Sequence, residues 1–302
     1  MIEKTEKGGT PMGYFEKHPG IVMVIGILGI SLSSIFIKYS TAPSAVTAAW
    51  RLLWTVTLMS PVVFGKKEVR QELGKIPGKY LGLSILSGLF LAIHFAFWFE
   101  SLKQTTVASA ATIVCTEVIW VSLGYCLVLK GRLPLKAVAS IAVALLGSGC
   151  IAWSDSGTGG SHLYGDMLAL FAAAAVAVYV LLGRVVQAKV STTVYTYVVY
   201  VSCGAALTAL CLLQGTGLTG HGLSPVVVGV LLAVFSTILG HSIFSWCLKY
   251  FTPSFVSASK LMEPVVASIL AVFLFGEIPT LLQLLGGGLI LSGLYAYAKI
   301  EQ

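Results

Sequence analysis

Residues Thr252 to Pro279 read TPSFVSASKLMEPVVASILAVFLFGEIP, a run long and apolar enough to cross a bilayer that still carries Lys260, Glu263 and Pro264. A charge near the middle of the hydrocarbon costs roughly 2.5 to 3.5 kcal/mol on insertion scales. Two charges in one span therefore mark a face turned away from lipid. Lys260 and Glu263 lie three residues apart, hence on one helix face, where each can offset the desolvation of the other. Pro264 has no N–H, so the carbonyl of Lys260 loses its helical partner and a kink with a free acceptor is expected beside the charges. Thr252 as N-cap and Pro253 at the first helical position start the helix, and Gly276 ends it.

A second stretch repeats this pattern. Set against each other at a constant offset of 146, Leu102 to Gly147 and Leu248 to Gly293 place Leu102, Lys103, Thr106, Glu117, Ser122 and Gly147 on identical residues. A buried Glu recurs at the same depth. After a slip of one residue, GRLP (Gly131 to Pro134) then matches GEIP (Gly276 to Pro279). An internal repeat in a hydrophobic chain is the usual signature of a transporter built from two halves.

Composition fixes the class around these stretches. The chain has 302 residues, of which 57% are hydrophobic and 10% charged, with a mean hydropathy of +0.91. Soluble domains carry about 25% charge, and apolar runs of about 20 residues match a hydrocarbon core of about 30 Å. The reading is an all-α integral membrane protein with ten transmembrane helices in two inverted five-helix repeats. The spans fall at about 20–38, 44–64, 79–99, 105–129, 134–153, 163–184, 191–214, 224–248, 253–275 and 279–299. Residues 1–19 form a polar cytoplasmic tail, 20–153 the first repeat, 154–162 a Gly- and Ser-rich linker, and 163–299 the second repeat. Because five is odd, the second copy inserts with the opposite orientation.

Charge tests the count. With the N-terminus inside, fifteen of the 19 Lys and Arg fall in cytoplasmic segments, Lys38 and Lys103 fall outside, and Arg51 and Lys260 stay in the membrane. The positive-inside rule is met with both termini cytoplasmic. The net charge of +7 then follows from topology, and no nucleic-acid partner is implied. All six cysteines lie in apolar spans without CxxC spacing, so disulfide, metal and redox roles have no support and no cofactor is expected.

The site candidates are the polar residues inside the spans. Glu117 lies about 12 residues from each end of its helix, about 18 Å from either side, and Glu263 is equally central. Inverted repeats bring equivalent positions across a pseudo-two-fold axis, so the two carboxylates can meet at a midplane site, and burial beside a like charge makes one of them a candidate proton carrier. The alternative is that Ser, Thr or backbone donors satisfy each of them locally. Lys260 is either the partner of Glu263 or a carboxylate-binding group. Arg51 lies roughly 10 Å inside the outer end of the second span, opposite apolar Val198 in the other half; a snorkelling Arg at the interface is the competing reading. His94 and Trp98 share a face at i, i+4, and His241, Phe244 and Trp246 cluster in the eighth span. These rings either line a pocket or belong to an interfacial belt. Trp120, one turn beyond Glu117, is placed with the pocket. Glu277 reads as a structural carboxylate at a helix start, and the glycines around Gly147 and Gly286 as close-packing positions.

The paired segments and the ending GEIPTLLQLLGGGLILSGLYAYA resemble the EamA-domain branch of the drug/metabolite transporter superfamily over about residues 20–300. Gly276, Glu277, Gln283, Gly286 and Gly293 carry the resemblance in the second half, Gly131, Pro134 and Gly147 in the first, and Arg51 is similar to an Arg often found in the family's second helix. The resemblance implies a monomer-sized bundle with a central cavity, alternating access, and often export of amino acids or other small metabolites. The chain departs from the family where Val118 stands in place of the usual Pro after Glu117 and Arg132 in place of Glu.

The expected function is a secondary transporter of a small polar or zwitterionic metabolite in a plasma membrane, of the kind found in a bacterial inner membrane. Its partners would be the lipid bilayer, the substrate and protons as a coupling ion, in a monomer or weak dimer. Glu117 or Glu263 would meet an ammonium, and Lys260 or Arg51 a carboxylate. A lipophilic-cation exporter is the runner-up. An intramembrane enzyme lacks a motif here: the sequence carries no GxSxG, HExxH or clustered His.

Overall fold

Prolines set where six of the helices begin. Pro19, Pro225 and Pro253 stand in the first turn of their helices, and Pro43, Pro77 and Pro134 immediately precede theirs. A proline there loses no hydrogen bond and its fixed φ is already helical. At Thr192–Leu213 a hydroxyl caps instead: Ser191 accepts from the Val194 amide at 3.3 Å.

The computed structural model describes residues 15–105, 107–155, 163–275 and 279–301. Glu277, Gly276, most of the linker and most of the N-terminal tail lie outside the described residues. The elements in order are α1 Pro19–Lys38, α2 Ser44–Gly65, α3 Lys67–Gly74, α4 Gly78–Gln104, α5 Val107–Cys115, α6 Glu117–Leu127, α7 Leu135–Asp155, α8 Leu163–Val186, α9 Thr192–Leu213, α10 Ser224–Cys247, α11 Pro253–Ser259, α12 Glu263–Phe275 and α13 Leu281–Glu301. Among the described residues there is no strand. Among the described residues eight helical runs are long and apolar enough to cross a membrane, and Leu135–Ile151 is a shorter apolar helix. The run 253–275 is not one helix: a 3₁₀ turn, Lys260–Met262, separates α11 from α12. The chain is a multi-pass membrane protein.

The closest neighbours are α4 with α8 and α7 with α13; α2 packs on α9 and α10, α4 on α9, α1 on α10, and α11 on α6. Leu52, Leu91, Phe95, Phe99, Tyr195 and Tyr200 fill the centre, each fully buried. The outer surface is also apolar, with Leu127, Leu213 and Phe273 more than three-quarters exposed, as befits a chain whose solvent is lipid. α7 and α13 cross where Gly147 meets Gly286. A Cβ at Gly147 would stand 2.5 Å from the Gly286 carbonyl oxygen, and one at Gly286 2.6 Å from that of Gly147, so the backbones touch as small-residue packing requires.

Candidate functional site

Two helix breaks build the site. Glu117 is the first residue of α6 and Glu263 the first residue of α12, so the carboxylates related by the internal repeat both stand at the start of a half-helix. There the free N–H groups and the positive end of the dipole favour negative charge. The breaks have different causes. In the second half Pro264 withholds its N–H from Lys260, whose carbonyl instead accepts from the Glu263 amide of the 3₁₀ turn and, at 3.9 Å, from the Cys115 thiol. In the first half, where the repeat sets Val118 against Pro264, the Thr116 hydroxyl donates to the Ile113 carbonyl at 2.6 Å. This local bond competes with the helical ladder.

Lys260 does not pair with Glu263, its neighbour on the same chain segment. Its ammonium donates to Glu117 Oε1 at 2.7 Å, joining the two halves, with the side chains only 10% and 5% exposed. Removing either partner leaves a buried charge without its counter-ion. The same ammonium lies 5.4 Å from the ring centroid of Phe244.

Arg51 does not snorkel. It is 1% exposed, and its guanidinium lies 4.2 Å from the Phe95 ring centroid while Nε donates to Thr237 Oγ1 at 2.7 Å. Thr237 comes from a π-helical stretch of α10, Leu232–His241, which turns Ser236, Thr237 and His241 inward. π-Helical segments are rare and cluster at functional sites.

The rings of His94, Phe95, Tyr179 and His241 assemble around His241, at centroid distances of 6.3 Å to His94, 5.3 Å to Phe95 and 6.1 Å to Tyr179. His94 Nδ1 lies 3.0 Å from the Ala172 carbonyl. That oxygen can only accept, so Nδ1 carries a proton. Trp98 is buried; Trp120 is 40% exposed on the outer surface. Three residues after Glu117, it is displaced by about 60° around the helix, enough to turn it from the cavity to lipid.

These groups enclose a cavity of about 50 Å³ lined by Arg51, His94, Trp98, Glu117, His241, Lys260 and Glu263, together with Phe95, Cys115, Ser33, Ser236 and apolar neighbours. Phe244 stands behind Lys260, and Trp120 takes no part. Cys115, Ser33, Ser236 and Thr237 were not singled out by the sequence. Cys115 has a legible signal, two residues before Glu117; the serines and Thr237 are small polar residues of a kind many spans contain. Two cations and two carboxylates line the cavity, so its formal charges balance.

A helical membrane bundle with paired broken helices and buried charges at its centre has the build of a carrier. The chain belongs to the EamA-like transporter family, whose model matches residues 19–153 and 163–298, one copy in each half. A protein of Salmonella typhimurium named "Probable amino-acid metabolite efflux pump" is 27% identical over 286 residues, covering 91% of this chain and 92% of its own. An "Uncharacterized transporter" of Archaeoglobus fulgidus is 23% identical over 260 residues, covering 82% and 85%. A solved crystal structure of a protein shares the fold with a TM-score of 0.77 at 18% identity, over 95% of this chain and 99% of the other.

Proposed function

We propose that the protein is a secondary-active transporter that exports a small zwitterionic or polar metabolite of the amino-acid or amine class across a plasma membrane by alternating access. The observation that carries this reading is the cavity itself: opposite charges from both halves, Glu117 with Lys260 and Arg51 with Glu263, converge with aromatic rings in one buried space. At about 50 Å³ it is far below the roughly 300–1,000 Å³ of open ligand sites. The site must therefore widen to load. The name of the Salmonella relative supports amino-acid export.

The architecture behind the proposal is ten spans in two inverted five-helix repeats, with both termini cytoplasmic. The helix pairings support it. Exchanging the halves turns the pairing of the third span with the sixth (α4 on α8) into that of the eighth with the first (α10 on α1), and that of the third with the seventh (α4 on α9) into that of the eighth with the second (α10 on α2). The second with the seventh and the fifth with the tenth map onto themselves, as a two-fold relation demands. Glu263 has no salt bridge among the described residues, which leaves it the carboxylate available to exchange a proton. The lipophilic-cation alternative needs an acidic cavity with Lys260 facing lipid, and Lys260 is buried inside.

The test is uptake into proteoliposomes of labelled amino acids, amines, nucleosides and lipophilic cations, with and without a pH gradient. Saturable amino-acid or amine uptake, accelerated by the gradient and losing that acceleration in Glu263→Gln, is expected. Gradient-indifferent uptake would remove the coupling, and uptake of lipophilic cations alone would replace the substrate class.

A further inference from the structure

We infer that the cavity takes the free carboxylate of its substrate between Arg51 and Ser236 and the substrate's ammonium at Glu263, so that the carrier prefers zwitterions over their amides and decarboxylated amines. This deepens the transport reading above and rests on it. Four groups in the cavity could meet a zwitterion, and the geometry separates them into two kinds. Lys260 and Glu117 are engaged with each other at 2.7 Å. A substrate would have to break that buried pair to use either one, and each broken half would cost the cavity a counter-ion.

Arg51 and Glu263 are the other kind. Among the described residues neither forms a salt bridge. The guanidinium is held from two sides, by Thr237 at Nε and by the Phe95 ring under its plane, while Nη2 is buried without a hydrogen-bond partner among the described residues. Ser236, next to Thr237 on the π-helical stretch, also lines the cavity, and its hydroxyl is likewise buried and unpartnered. A buried polar atom without a partner is rare, and a buried unpaired guanidinium N–H rarer still. Arg51 and Ser236 thus bring two unpartnered polar groups to the lining of one cavity. Planar guanidinium donors match a carboxylate, whose oxygens accept charge-assisted hydrogen bonds; a primary amide offers one neutral oxygen and an NH₂ that repeats the donor pattern of the guanidinium. The Arg51 and Glu263 charges then meet the two poles of one zwitterion without disturbing the Lys260–Glu117 bridge.

The experiment compares, in proteoliposomes, labelled L-leucine with L-leucinamide and 3-methylbutylamine, and L-phenylalanine with its amide and 2-phenylethylamine. The amino acids are expected to exceed the amides and amines in kcat/KM by about 10- to 100-fold, the range of one lost charged hydrogen bond. That ratio should fall to about 1 in Arg51→Gln and shrink a few-fold in Ser236→Ala, each variant being checked for a single symmetrical peak in size-exclusion chromatography. Amides or amines carried as well as the amino acids, or a ratio that survives Arg51→Gln, would overturn the inference and leave the transport reading standing. Uptake of none of the six would overturn both.

Discussion

At the scale of single residues, the account turns on which charge answers which. Lys260→Met removes one half of a buried pair and leaves Glu117 without a counter-ion, so it should destabilise the protein by about 3 to 5 kcal/mol. Lys260→Met combined with Glu117→Met removes both charges and should recover most of that loss, which thermal unfolding in detergent would measure as a cycle. A loss in the double variant equal to the sum of the losses in Lys260→Met and Glu117→Met alone would mean that the bridge contributes no coupling. The sequence makes both residues visible, because lipid tolerates neither, but it cannot pair them: they are 143 positions apart, and helical spacing favours the nearer Glu263. Arg51 is visible for the same reason, and only packing against Phe95 and Thr237 separates a cavity residue from a snorkelling one. Trp120 errs the other way, since a spacing of three permits a shared face without fixing it.

The element scale is where helices stop being continuous. Pro264 announces one break, and its sequence signal is unambiguous because proline removes a donor. The matching break at Thr116 carries no such mark; a Thr hydroxyl on the Ile113 carbonyl looks in the sequence like any Thr in a span. The π-helical stretch of α10 is illegible for the same reason, since no residue type demands it. Pro264→Ala gives Lys260 back a helical donor and should straighten the 253–275 run. The expected outcome is a higher melting temperature with a slower transport turnover, read by pairing thermal unfolding with proteoliposome flux; unchanged turnover would remove the break from the mechanism. The α7–α13 crossing makes a simpler prediction. Gly147→Leu drives a side chain onto the Gly286 backbone and should cost about 1 to 3 kcal/mol or more, seen as a lower melting temperature, whereas Gly149→Leu, with open space at its Cβ position, should be tolerated.

For the whole molecule, hydropathy and the repeated Glu carry most of what the sequence discloses: an all-helical membrane protein in two related halves. The cavity is less legible. Its residues come from helices far apart in the chain, and their convergence depends on crossings set by glycine contacts and local breaks rather than by any one motif. The central claim is that this buried site opens in turn to either side of the membrane, and Cys115, which lines it, reports on that directly. In a variant whose five other cysteines are replaced by Ala, a membrane-impermeant thiol reagent would be applied separately to each face of oriented vesicles, with and without saturating L-leucine. The account predicts that Cys115 is modified from both faces and that the amino acid protects it from both. Modification from one face only, or from neither, would contradict a carrier that loads on one side and releases on the other.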